Sequence, residues 1–391
     1  MRNEAWIPAR LADLRAASLE RTLTPLPAVG GRITIDGREF LNFASNDYLD
    51  FARRPELREA VRAAADRFGA GATASRLMAG TLSCHAELEA RLAAFKGYPA
   101  ALVFGSGYLT NVGALPALVG RNDMVFADKL AHASLIDGAV LSRARLVRFH
   151  HNDAAHLERQ LAAAPAAARK LVVTESVFSM DGDRAPLPDL CGVAQRHGAM
   201  VLVDEAHSTG VFGPAGSGLI RQHGLENAVN ISMGTLSKAL GSYGGFAAVS
   251  APMRDWLVNT ARSFIFDTAL PPAAAAAALA ALGLLERSPG LGSELLRRAK
   301  HFRASLRNAG LALDESESQI VPVVVGSSAG ALSLSRRLRE RGILAPAVRP
   351  PTVPEGTARL RFSVTLAHRE EDLDHAAASL RAAMAEEGLL P

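Results

Sequence analysis

Short runs that are apolar along nearly their whole length recur between residues 101 and 249: Ala101-Leu-Val-Phe, Met124-Val-Phe-Ala, Leu146-Val-Arg-Phe, Leu171-Val-Val-Thr, Met200-Val-Leu-Val, Val229-Asn-Ile-Ser and Gly245-Phe-Ala-Ala-Val. A strand with one wet face alternates apolar and polar positions; one apolar throughout is covered on both faces. Before and between these runs the apolar period lengthens to that of a helix, near 55–68, 83–96, 110–119, 153–163 and 188–197. Strand and helix in alternation predict an α/β fold with a mainly parallel sheet. Before it, Leu11, Leu14 and Leu19 suggest a helix closed by Pro25 and Pro27, and Asp36-Gly37 turns a hairpin between Arg32-Ile-Thr-Ile and Glu39-Phe-Leu-Asn-Phe. After about residue 290 the pattern becomes α+β: helices near 293–309, 331–341 and 369–387, and strands at Ile320-Val-Pro-Val-Val-Val and Arg359-Leu-Arg-Phe. The expected organisation is an N-terminal segment at 1–45, a large domain at 46–290 and a smaller C-terminal domain at 291–391.

Composition narrows the function classes. The longest apolar stretch, Ala273 to Leu285, is too short to cross a bilayer and reads as a helix buried in protein. The first residues lack the apolar core of a secretory signal, and Cys84 and Cys191 stand alone, as in a reducing compartment; a cytoplasmic protein is expected. With 43 basic and 39 acidic residues spread along the chain and 5% aromatics, neither a nucleic-acid surface nor a stacking platform is expected.

Ligands of doubly wound sheets collect at the carboxyl ends of the strands. Polar residues follow the runs directly: Gly105-Ser-Gly-Tyr108, Asp128 to His132, Glu175 to Ser179, Asp204-Glu-Ala-His207 and Gly234-Thr235-Leu-Ser-Lys238. A lysine among small residues suits imine formation, an acid after a buried strand can keep a pyridine nitrogen protonated, and a Gly-rich turn opening a helix offers amides to one phosphate. Taken singly, Lys238 reads as a solvated charge, Asp204 as a cap and His207 as structural; together they make a site. Gly69-Ala-Gly-Ala-Thr-Ala74 matches a dinucleotide fingerprint, but the preceding Pro55–Arg67 reads as a helix where that motif requires a strand. His150-His151 and Asp181-Gly-Asp183 lack a third ligand at metal spacing and read as a solvated loop and a turn.

Asp204-Glu-Ala-His-Ser-Thr-Gly, Gly234-Thr-Leu-Ser-Lys-Ala-Leu-Gly, Thr174-Glu-Ser-Val-Phe-Ser-Met-Asp-Gly-Asp and Asp128-Lys-Leu-Ala-His-Ala-Ser resemble, in order and spacing, the motifs of the α-oxoamine synthases. These are pyridoxal-phosphate enzymes of the aspartate-aminotransferase fold (fold type I). The resemblance implies that Lys238 carries the cofactor, Asp204 faces the ring nitrogen, His207 and Ser179 bond the ring oxygen, and His132 stacks on the ring. It assigns the phosphate to Gly107, Tyr108 and Thr235, with Thr268 reaching over from the partner subunit of a homodimer. Asn46 and Arg361 would grip the amino-acid carboxylate, and Arg21 and Thr352 would line the acyl side. Asn42-Phe-Ala-Ser-Asn-Asp-Tyr-Leu, Gly71-Ala-Thr-Ala-Ser-Arg-Leu-Met-Ala-Gly80 and Pro350 to Arg361 look most like the branch that joins L-alanine to a pimeloyl thioester of coenzyme A or acyl carrier protein. Branches using other amino acids and acyl groups, such as glycine C-acetyltransferase, and a catalytically silent binding subunit are the alternatives. Asp50 and Asp267 depart from the pattern, which commonly has glycine and a small hydroxyl residue there. A carboxylate beside a phosphate is unfavourable unless it points away.

Overall fold

The computed structural model describes residues 3–313 and 316–390. The chain opens with helix α1 (Ile7–Ala16) and the hairpin β1 (Arg32–Ile35) and β2 (Arg38–Asn42). Helix α1 stops before Leu19 and well before the prolines: Ser18 takes a left-handed φ of 56°, and α1 buries no side chain that would extend it.

A larger unit comprises Asp47–Ser179 and Asp183–Glu294. Its elements are α2 (Pro55–Phe68), α3 (Ser83–Lys96), β3 (Ala100–Phe104), α4 (Gly107–Leu118), β4 (Met124–Asp128), α5 (Ala133–Ser142), β5 (Arg145–Phe149), α6 (Ala154–Ala162), β6 (Lys170–Glu175), α7 (Leu187–Arg196) and β7 (Met200–Asp204). There follow the turn-length α8 (Leu219–Gln222), β8 (Ile231–Thr235), β9 (Gly245–Val249), α9 (Ala251–Thr260), the short α10 (Arg262–Ile265) and α11 (Pro272–Arg287). The sheet order is β3-β9-β8-β7-β6-β4-β5. Neighbours from β8 to β5 pair parallel, whereas β9 runs antiparallel to both β8 and β3. The connection 236–244 is too short for a crossover helix, so β9 must return beside β8 in the opposite sense. Because β3 is antiparallel to β9, its carboxyl end rejoins the rim formed by β4, β6, β7 and β8. The strand expected from Val229 begins two residues later, at Ile231.

Strands β4, β8 and β9 are buried at every position, and Leu102, Val125, Val173, Leu202, Ile231 and Ala247 pack with residues of α4 and α5 into one core. Helix α5 is absent from the periodicity reading because it is apolar on most sides and carries Gly138. A Cβ there would lie 3.0 Å from the Asn111 carbonyl of α4, so glycine permits the close approach of the two helices. Helix α11 contains the alanine-rich stretch and buries Ala275, Ala278, Leu282 and Leu285; no described helix is long and apolar enough to cross a membrane.

The other unit joins Met1–Asn46 and Met180–Gly182 to Leu295–Pro391. After α12 (Leu291–Asn308) come β10 (Ile320–Gly326), α13 (Ser328–Glu340), β11 (Ile343–Leu344), β12 (Ala347–Val348), β13 (Ala358–Ser363) and α14 (Glu370–Glu386). Strand β11 pairs parallel with β2, so the hairpin shares a sheet with the C-terminal residues rather than standing as its own segment. A second sheet, in the order β10-β13-β12, places Arg359 and Arg361 on one face of its central strand.

Candidate active site

The rim of the larger unit gathers the expected residues strand by strand. Asp204 closes β7, Glu175 closes β6, and the two are cross-strand partners in the register. Asp204 is buried; its Oδ1 accepts from the Ala206 amide at 2.9 Å and its Oδ2 from Asn111 Nδ2 at 2.8 Å. The same Asn111 nitrogen donates to Ser134 Oγ at 2.9 Å. Ser134 meets His132 Nδ1 through its hydroxyl at 2.7 Å and its amide at 3.2 Å. The amide can only donate, so Nδ1 carries the lone pair and Nε2 the proton of a neutral ring. Burial lowers the His132 pKa, with the Asp204 carboxylate opposing and the Lys238 ammonium reinforcing. A chain of hydrogen bonds thus runs from Asp204 through Asn111 and Ser134 to His132.

Lys238 follows β8. Its Nζ lies 2.8 Å from His207 Nε2, and His207 Nδ1 lies 2.6 Å from the Tyr48 hydroxyl. Strands β7 and β8 are neighbours in the sheet, with Asp204 opposite Met233 in the register, so Asp204 and Lys238 extend from adjacent strand ends. Glu175 is fully buried: Oε2 accepts from the Ser179 amide at 3.2 Å, and Oε1 has no hydrogen-bond partner. Burial and then the neighbouring Asp204 carboxylate push the Glu175 pKa well up, against the pull of Lys238 and the backbone amides of Ser179 and His132.

Ser106 caps α4 by accepting from the Leu109 amide, and Gly107 and Tyr108 open the helix. A Cβ at Gly107 would sit 2.9 Å from Met233 and 3.5 Å from Thr235, so the first turn of α4 lies directly against the end of β8. Thr235 Oγ1 bonds the Gly244 carbonyl at 2.9 Å and meets Ser237 Oγ at 2.8 Å. Amides and hydroxyls converge there in a cradle of anion-binding type. Thr268 bridges to Ser75 of its own chain, and the Asp267 carboxylate lies on Gly105, where an added Cβ would be 2.6 Å from Oδ2. Asp267 therefore points toward the loop instead of away from it, and its charge opposes an anion in that position.

The remaining expected residues belong to the smaller unit. Arg361 donates to Asn46 Oδ1 at 3.2 Å and to Ser363 Oγ at 2.7 Å. Arg21 donates to the Pro350 carbonyl at 3.3 Å, and the Thr352 amide donates to Arg349 at 3.1 Å. Sequence reasoning missed Tyr48, Asn111 and Glu175 as site residues, although Tyr48 and Glu175 lie inside quoted motifs. It also read His151 as part of a solvated loop, whereas His151 bonds Asp128 and Asp183. Among the described residues no group of three or more His, Cys, Asp or Glu is arranged to hold a metal.

Residues 38–380 match the family described as aminotransferase class I and II, and the chain belongs to that family. Within it, the 8-amino-7-oxononanoate synthase of Geobacter sulfurreducens is 49% identical over 377 residues, covering 96% of each chain. A solved serine palmitoyltransferase from S. paucimobilis with a bound PLP–myriocin aldimine superposes with a TM-score of 0.93 at 32% identity, covering 99% of this chain and 98% of that one. The 8-amino-7-oxononanoate synthase of Francisella tularensis superposes with a TM-score of 0.77 at 28% identity, over 89% of this chain and 99% of that one.

Proposed function

We propose that this chain is a pyridoxal-phosphate-dependent acyltransferase with the activity of an 8-amino-7-oxononanoate synthase: it condenses L-alanine with a pimeloyl thioester, releasing the thiol and carbon dioxide, in biotin synthesis. The donor set suits the cofactor. Lys238 offers an amine to an aldehyde, Asp204 a buried carboxylate to a ring nitrogen, and the amides opening α4 at Gly107 and Tyr108, beside the Thr235 hydroxyl, would offer donors to a phosphate. The bound cofactor supplies an electron sink that stabilises negative charge on the amino acid's α-carbon.

The chain's own residues do the rest. Asp204, oriented by Asn111 and the Ala206 amide, would hold a proton on the ring nitrogen. The Lys238 amine takes the α-proton and later returns one, with His207 beside it to fix its position. Neutral His132 would cover the ring, and its Nε2–H would donate to the thioester oxygen as negative charge builds there. Ser179 and His207 would bond the ring oxygen, and Arg361 with Asn46 would offer donors to the alanine carboxylate. Arg21 and Thr352 take the acyl side. Thr268 serves the phosphate of a partner subunit in a cytoplasmic homodimer.

The observation that carries this reading is that Asp204, at the end of β7, is joined through Asn111 and Ser134 to His132, while Lys238, just past the adjacent β8, meets His207, three residues beyond Asp204. The higher TM-score to serine palmitoyltransferase favours a second reading, in which serine and a long acyl thioester are the substrates. Backbone superposition reports the shared scaffold, whereas the side chains that select substrates follow identity, which is 49% to the synthases and 32% to the palmitoyltransferase. The first reading is therefore preferred.

The test offers the purified protein L-alanine, glycine or L-serine against pimeloyl, acetyl and palmitoyl thioesters of coenzyme A and of acyl carrier protein, scored by product mass. Alanine with pimeloyl should dominate; a serine–palmitoyl product would reverse the ranking. Lys238→Ala should abolish turnover and the borohydride-sensitive visible absorbance. Retained turnover would refute the lysine's role, and a colourless, inert wild type would indicate a silent subunit.

A further inference from the structure

His151 lies just past the edge strand β5, yet it reaches the end of β4 and the loop beyond β6. Nδ1 is 2.9 Å from Asp128 Oδ1, at the end of β4, and Nε2 is 2.8 Å from Asp183 Oδ2, in the loop that follows β6. A neutral imidazole has a single N–H, so one of its nitrogens would turn a lone pair onto a carboxylate; only the doubly protonated ring satisfies both contacts. Burial opposes that charge, but the hydrogen bonds to the two carboxylates outweigh it and hold the pKa at about 10. Asn152, at a left-handed φ of 55°, repeats the bridge: its amide donates to Asp128 Oδ2 at 2.9 Å and its Nδ2 to Asp183 Oδ2 at 2.7 Å. The Asp128 side chain is fully buried, and its Oδ1 also accepts from the Leu130 amide at 2.8 Å, in the turn leading to His132. Phe178 packs edge-on to the His151 ring, with centroids 4.4 Å apart, beside Ser179.

The two loops so joined are those that carry His132 and Ser179. We propose that His151 is a positioning residue: as a standing cation it ties the His132 loop to the Ser179 loop, and so sets how the imidazole of one and the hydroxyl of the other are spaced around the ring site. The tie is independent of the functional reading, whereas its consequence for turnover rests on that reading.

Hydrogen exchange in the cofactor-free protein tests the tie directly. In His151→Gln, amides at 129–133 and 178–184 should exchange about tenfold faster or more, together, while β7 keeps its protection. Asp183→Asn, which keeps the His151–Asp128 contact, should loosen the 178–184 loop more than the 129–133 loop, and it carries the test if His151→Gln does not fold. Unchanged exchange in both loops would overturn the tie. In the cofactor-loaded enzyme His151→Gln should lower kcat per loaded site about tenfold or more, with a shifted cofactor absorbance and an unchanged KM for the thioester, since misplacement by a fraction of an ångström suffices. Wild-type kcat in a variant with loosened loops would overturn the positioning role. Joint loosening in a chain inert toward every amino acid and thioester offered would leave the tie standing and remove the reading of the site instead.

Discussion

Lys96 and Glu205, the residue after Asp204, form an ion pair with almost no exposure on either side chain. The ammonium donates to Glu205 Oε2, to the Ser217 carbonyl at 2.6 Å and to Thr209 Oγ1 at 3.3 Å, which uses its three hydrogens. The carboxylate also accepts from Ser208 Oγ at 3.1 Å, the Ile220 amide at 3.0 Å and Ser232 Oγ at 3.0 Å. Lys96→Met removes the cation and leaves a buried carboxylate with neutral donors alone, which should destabilise the larger unit by about 3–5 kcal/mol. Against a typical total of about 5–15 kcal/mol, that loss is large. Glu205→Gln strands the ammonium and should cost a similar amount. The double variant leaves no unpaired charge, and its amide oxygen still accepts from neighbouring donors. It should therefore recover at least about 2 kcal/mol of the summed single losses, at the upper end of measured couplings. Urea unfolding of the cofactor-free protein, followed by Trp256 fluorescence, measures all three, because Trp256 sits in the same unit with its indole on the Ala117 carbonyl. A single-variant cost below about 1 kcal/mol, the value of a surface pair, or strictly additive losses would refute the argument. Since Glu205 adjoins Asp204 in the chain, Lys96→Met should also loosen cofactor binding.

Asn111→Ala removes both the Asp204 and the Ser134 hydrogen bonds; one bond to a charged group is worth about 1.5–3 kcal/mol, so the cofactor should bind about 10- to 100-fold more weakly, read by spectral titration. Undiminished affinity would show that Asp204 needs no second donor. His368 is fully buried, stacked on Phe43 at 4.2 Å and bonded to the Gly31 carbonyl, and burial lowers its pKa to about 4. Unfolding restores the ordinary value near 6.5, so the unfolded state binds the extra proton first; stability is complete above about pH 6.5 and falls as the pH drops toward 4, by on the order of 3 kcal/mol. His368→Gln should flatten that slope in urea titrations across this range, and an unchanged slope would refute the assignment.

Much of the larger unit was legible because its signals are local. Runs such as Val125 to Ala127 and Leu171 to Val173 are apolar on both faces, which dictates a covered sheet whatever the neighbours are, and the polar residues after each run had to reach its carboxyl rim. What escaped depended on distance along the chain. The reversal of β9 followed from a connection length, α5 from packing against α4 that erases amphipathic period, and the end of α1 from a want of anything to bury.

Residue order alone thus determined the strand set and the rim, and that Lys238, Asp204, His207 and His132 follow the strand ends there. Only the tertiary structure decided that His207 would bond Lys238 and Tyr48, that Asn111 would relay between Asp204 and Ser134, and that His151 would bridge two loops. The reason is physical: a residue's propensity is set by its near neighbours, but the charge state and partner of a polar side chain are set by what the fold brings within about 3 Å of it once water is excluded.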